Sequence, residues 1–146
     1  MLTEGGGGPL AVVVAGANVP DCKLLEQTIE SVVVERPLRS EGVEENLCLD
    51  KGYDNPTGRE AASSGGHTPH IRPIGEDAAA AKAKREAGRS KGHKPRRWVV
   101  ERTIAWLNRC RGILVRYEKK AQNYLGTIQL ACALLWFRRL HRIQIA

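Results

Sequence analysis

Uncharged, β-branched residues dominate Pro9-Leu10-Ala11-Val12-Val13-Val14-Ala15, which predicts a buried strand ended by Gly16-Ala17-Asn18. Next, Leu24, Leu25, Thr28, Ile29 and Val32 recur at helical spacing. A helix is expected from Cys22 to about Val33, with Asp21 as N-cap and Pro37 as its stop. Glu45-Asn46-Leu47-Cys48-Leu49-Asp50 reads as a short strand ending in an acid, with Gly52 placed so the chain can turn sharply. A weak helix near Thr57 to Ala62 and a short strand within His67 to Pro73 follow.

The clearest periodicity starts near Arg96 and continues to about Arg116. At 100° per residue, Val99, Thr103, Trp106, Leu107, Cys110, Leu114 and Tyr117 share one side. The opposite side holds Arg97, Glu101, Ala105, Asn108 and Gly112, with Lys94 added if the helix is extended backwards. A last helix, about Asn123 to Arg142, is expected to bury nearly all its apolar residues. These elements predict an α/β fold in one domain over residues 9–146, after a flexible, glycine-rich N-terminus at 1–8. Between Gly75 and Lys94 the chain is rich in Ala, Gly and Lys, and a mobile basic loop or frayed helix is expected.

Composition alters this picture mainly through charge. The net charge of +7 hides a split. Residues 1–81 carry 6 Lys/Arg against 13 Asp/Glu, a net of −7, and residues 82–146 carry 17 against 3, a net of +14. A strongly basic half points to a polyanionic partner, with nucleic acid first. Aromatics make up only 5% of the chain, so the core must be aliphatic. The four cysteines form no CxxC pair, which suits free buried thiols in a reducing cytosol better than a disulfide frame or zinc site. No signal-peptide pattern follows Met1, and the longest apolar stretch, about Leu125 to Phe137, is too short for a membrane span. A cytoplasmic protein is expected.

Two acids stand out. Asp50 sits at a predicted strand end, where open α/β sheets place their ligands, although an Asp there is also an ordinary turn initiator. Glu101 lies on the polar face of a helix in the most basic region. It fits either a metal ligand or an i,i+4 partner for Arg97. Together they fit two-metal phosphoryl transfer, in which carboxylates hold Mg²⁺ ions and neighbouring cations hold the DNA backbone. His67 and His70 have HxxH spacing but no further ligand nearby. Trp98 and Trp106 read as core or groove-wall residues ahead of base-stacking platforms.

Leu49-Asp50-Lys51-Gly52-Tyr53-Asp54 resembles the D-x-G-Y segment of bacterial insertion-sequence DDE transposases of the four/five superfamily. Arg96-Arg97-Trp98-Val99-Val100-Glu101-Arg102-Thr103 with Trp106-Leu107-Asn108-Arg109 is similar to their last catalytic helix. Of that helix's Y-x2-R-x3-E-x6-K signature, Arg97 and Glu101 match, while Lys94 and Asn108 stand at the Tyr and Lys positions. Arg116 to Lys120, Asn123-Tyr124 and Pro9 to Lys23 extend the likeness. The resemblance implies a ribonuclease-H-like fold, Mg²⁺ as cofactor and DNA ends of the element as partner. Asp50 would be the second catalytic acid and Glu101 the third, both metal ligands. Lys94, Arg96, Arg97, Arg102, Asn108 and Arg109 would face DNA.

The family's first catalytic Asp lies on a strand upstream of the segment matching Pro9. The only acid here before Asp21 is Glu4, within the glycine run. The chain is therefore expected to be a C-terminal part of the catalytic domain, lacking the first strand and inactive in strand transfer alone. The alternative is a non-catalytic basic module, built on residues 82–146, that binds DNA or self-associates and modulates intact transposase.

Overall fold

The structure, a computed structural model, describes residues 1–35, 44–71 and 97–145, without the side chains of Arg97 and of 142–145. Pro37, the predicted helix stop, and the basic stretch before Lys94 lie outside the described residues. The fold is mixed α/β, in two compact units: residues 1–16, 27–35 and 98–146 form the first, residues 17–26 and 36–97 the second.

In the first unit, β1 (Leu2–Thr3) and β2 (Pro9–Ala11) pair antiparallel, with Leu2 opposite Ala11 and Thr3 opposite Pro9. The glycine run, expected as a flexible N-terminus, is instead the turn of this hairpin. Glu4 organises it. Its carboxylate accepts the backbone N–H groups of Gly6 and Gly8 (2.5 and 2.6 Å) and pairs with Arg139 at 2.8 Å. Gly7 has φ +92°, and a Cβ there would sit 3.0 Å from Arg102 Nη2 and 3.1 Å from Thr103 Oγ1. At Gly8 a Cβ would run into the Trp136 ring. Glycine is thus required by both conformation and close approach. The predicted strand over 9–15 extends only to Ala11, because β1 offers two paired residues. Val12 and Val14 still pack on the core.

That core comprises Leu107, Ile113, Ile128 and Ala131, with Trp106, Cys110, Tyr124 and Cys132 partly buried against it. Helix α3 (Arg97–Leu107) supplies Val99, Thr103 and Leu107, all buried as the periodicity predicts. It ends earlier than expected. The N–H groups of Arg109 and Cys110 bond three residues back, to Trp106 and Leu107, and Cys110 (φ −79°, ψ 107°) leaves helical geometry. A new short helix, α4 (Arg111–Leu114), starts out of phase. Ile113 therefore points inward, and Leu114 and Tyr117, expected on the buried side, are exposed.

Helix α5 (Ala121–Ile145) covers the core through Ile128, Ala131 and Leu135. Its other apolar residues correct the expectation of near-complete burial: Leu130, Leu134, Phe137 and Leu140 are half-exposed or more. Besides the Arg139–Glu4 pair, two hydrogen bonds hold its far end to the hairpin. Trp136 Nε1 donates to the Pro9 carbonyl (2.8 Å), and Arg139 Nη2 donates to that of Gly6 (2.6 Å).

In the second unit, β3 (Asn46–Cys48) and β4 (Thr68–His70) pair parallel, Leu47 opposite Pro69. A parallel pair needs a crossover, supplied here by a 3-10 turn (Lys51–Tyr53) and helix α2 (Pro56–Ser64). Asn55 caps α2 by accepting the Gly58 N–H at 2.9 Å, and Pro56 fills the first helical position. Leu47, Ala61 and Ala62 are buried. The segment after Gly16 begins as a 3-10 turn (Asp21–Leu24) and continues as α1 (Leu25–Glu30). Asp21 is not its cap. Pro20 takes that position without a side-chain bond, and Asp21 lies in the first turn. Cys48, expected to be buried, is exposed, and all four thiols are free. Among the described residues, no helix is long and apolar enough to cross a membrane.

Candidate functional site

Asp50 stands two residues beyond β3, at the carboxyl end of the parallel pair. It is the N-cap of the Lys51–Tyr53 turn, and its Oδ1 accepts the Gly52 N–H at 2.7 Å. The turn-initiating role and the strand-end position therefore coexist. One oxygen is fixed by the turn, and Oδ2 bonds to no described residue. Burial first, then the negative charges of Asp21 and Asp50, pushes the neighbouring Tyr53 phenol up to about 12. Asp54 pairs with Arg59 at 2.5 Å and closes the loop onto α2.

Glu101 projects from the exposed face of α3, in the first unit, and shares that face with Ala105 and Asn108. The polar stripe is thus real over its described length. Asn108 and Arg109 are exposed in the turn that ends α3. Arg102 is committed within the protein. Its Nη2 donates to the Gly6 carbonyl at 2.6 Å, and its guanidinium lies 4.7 Å from the Trp98 ring centre. Lys94 and Arg96 lie outside the described residues, and Arg97 is described only in its backbone. Trp98 is 52% exposed, so it is no core residue, whereas Trp106 packs on the core.

Among the described residues no group of three His, Cys, Asp or Glu converges as a metal centre. The HxxH pair is accounted for otherwise. His67 pairs with Glu45 (3.4 Å) and His70 Nε2 with Asn46 Oδ1 (2.5 Å). Asp50 and Glu101 belong to different units. Sequence reasoning overlooked Arg138 and Arg139, whose guanidinium groups gather with Arg102 beside Trp106. The doublet at the end of the apolar run was the available signal.

A family model described as "Transposase DDE domain" matches residues 1–136. The chain belongs to the DDE transposase family. It is 33% identical over 144 residues to a Burkholderia cepacia protein described as a transposase for insertion sequence element IS402. The match covers 97% of this chain and 63% of that protein, so the transposase-family chain spans less than two thirds of its relative's length. No solved structure matches. The insertion-sequence resemblance carried by the D-x-G-Y and W-x-x-E-R-T segments is thereby borne out. DDE transposases act on DNA and generally use a divalent metal.

Proposed function

We propose that this chain supplies the second and third acids of a DDE transposase, Asp50 and Glu101, for cleavage and joining of element-end DNA within a ribonuclease-H-like domain. The family match over residues 1–136 carries the proposal. The location of Asp50 at a strand end supports it locally. Carboxylates are the hard oxygen donors that Mg²⁺ prefers, and both side chains are solvent-accessible. Mg²⁺, when bound, would activate the attacking water or 3′-hydroxyl and stabilise the leaving oxygen. Asp50 would present Oδ2 while the Gly52 N–H holds Oδ1 still. Lys94, Arg96, Arg97 and Arg109 would draw the DNA backbone toward Glu101, with Asn108 beside them. Arg102 would contribute through the N–H groups its tie to Gly6 leaves over.

Glu4, the only acid before Asp21, is an unsuitable first acid. Its oxygens are held by Gly6, Gly8 and Arg139. Full catalysis would then need a carboxylate from outside this span. The purified span is expected to bind element-end DNA without transferring strands. Mg²⁺-dependent cleavage by it, abolished by Glu101→Ala, would overturn the two-acid reading. In a longer chain containing the span, transposition that survives Asp50→Ala and Glu101→Ala would overturn both assignments.

The second reading, a non-catalytic basic module, is favoured by α5, which has no acid and exposes Leu130, Leu134 and Phe137. Salt-dependent DNA binding or self-association unaffected by Asp50→Ala and Glu101→Ala would favour it.

A further inference from the structure

One cavity of the first unit is unlike the surface around Glu101. It has a volume of about 290 Å³ and lies between the glycine turn, α3 and α5. Arg102, Arg138 and Arg139 line it together with Gly7, Trp106 and Leu135. Round α3, Arg102 and Trp106 stand about 100° and 140° from Glu101. The cavity therefore opens on a different side of the helix from the catalytic candidate.

Three guanidinium groups around one hollow repel each other unless an anion is present. The carboxylate that pairs with Arg139, that of Glu4, is also bound to two backbone N–H groups. Arg102 and Arg139 each spend donors on the Gly6 carbonyl, but a guanidinium has five N–H groups. Arg138 makes no hydrogen bond or ion pair to a described residue, and its guanidinium lies 6.0 Å from the Trp106 ring centre. The hollow is thus a concave set of unspent planar donors, the geometry that takes two oxygens of a phosphate at once. At about 30 Å³ per water, the volume holds more than a bare tetrahedral anion. Trp106 and Leu135 add an apolar wall for an attached sugar.

We propose that this hollow binds a backbone phosphodiester of DNA, as a contact separate from the Glu101 face and centred on Arg138. The inference rests on the transposase reading for its choice of DNA as the source of the phosphate. Arg138 is the residue to change, since its guanidinium makes no hydrogen bond or ion pair to a described residue and touches the fold through Trp106 at 6.0 Å.

The test compares the whole chain with its Arg138→Gln variant in two measurements. The first is the salt dependence of binding to a short fluorescent duplex. The second is a titration with inorganic phosphate, followed by the indole N–H resonance of Trp106. Arg138→Gln is expected to weaken duplex binding about tenfold and to reduce the magnitude of the log–log salt slope by about 0.9, the value for one lost phosphate contact. It should also abolish a saturable shift of the Trp106 signal. Unchanged affinity, slope and Trp106 response in the variant would overturn the site while leaving DNA binding as such intact. A Trp106 response to phosphate that requires Arg138, in a chain that binds no duplex at all, would keep the anion site and defeat the transposase reading.

Discussion

Replacing Thr103 with valine tests how the glycine turn is held to α3. Thr103 is 3% exposed, and its hydroxyl donates to the Gly7 carbonyl at 2.6 Å. Its approach to the Val99 carbonyl is longer, 3.2 Å, and that oxygen lies within the helix. Valine keeps the side-chain shape and removes only the donor. The carbonyl of buried Gly7 would lose its partner, at a cost of about 1–3 kcal/mol. Gly7→Ala attacks the same contact from the other side. It forces a side chain onto φ +92° and against Thr103 Oγ1, with strain of about 1–3 kcal/mol. Because one contact is lost twice, the double variant should fall short of the sum by at least about 0.5 kcal/mol. Trp98, Trp106 and Trp136 all lie in the first unit, so urea unfolding followed by tryptophan fluorescence reports on it alone. A loss of about 2 kcal/mol corresponds to a midpoint lowered by about 1 M urea. A Thr103→Val midpoint within about 0.2 M of the parent, or strictly additive variants, would refute the clamp.

Two further outcomes are expected. Burial alone would push the Glu4 carboxyl up, but the Gly6 and Gly8 N–H groups and Arg139 outweigh it and hold it below the ordinary 4.5. A depressed carboxylate stabilises the fold fully above its unfolded value and loses that contribution as pH falls through the folded one. Glu4→Gln should therefore flatten the fall in first-unit stability between about pH 6 and pH 3, measured by the same fluorescence unfolding; an unchanged slope would remove Glu4 from this role. In the second unit, a Cβ on Gly58 would stand 2.6 Å from the Tyr53 carbonyl oxygen. Gly58→Ala should cost about 1–2 kcal/mol after its gain in helix propensity and speed amide exchange across Lys51–Ser64; slower exchange would contradict the contact.

Local signals were the legible ones. Asp50 and Gly52 form the turn their order suggests, and the weak helix near Thr57 to Ala62 is present as α2, with Asn55-Pro56 as a start signal left unused. The buried face of α3 follows its period as far as Leu107. Past that residue no proline marks the break, so a pattern continued at 100° put Leu114 inside when Ile113 is. Exposure of Leu130 and Leu134 was equally unreadable, because burial depends on what lies opposite a helix, and periodicity describes only the helix itself. Charge alone does not show how a cation is held. Arg102, expected to face DNA, also gives one N–H to Gly6 and lies over the Trp98 ring. The glycine run resembled a linker by composition, while its conformation is set by Glu4 within it and by residues 96 and more positions away.

Those long separations set a timetable for synthesis. The Glu4–Arg139 pair spans 135 positions and the Pro9–Trp136 bond 127. At roughly 5–20 residues per second, the hairpin leaves the ribosome about 7–27 s before the arginine that will hold it. Until α5 is made, Met1, Val12 and Val14 lack Ile128 and Ala131 of the core they pack against and are open to chaperones or to neighbouring nascent chains. A stop codon before Trp136 would leave the hairpin with only the Arg102 and Thr103 bonds of α3, so the final turns of α5 decide whether the glycine turn is held from one side or from two.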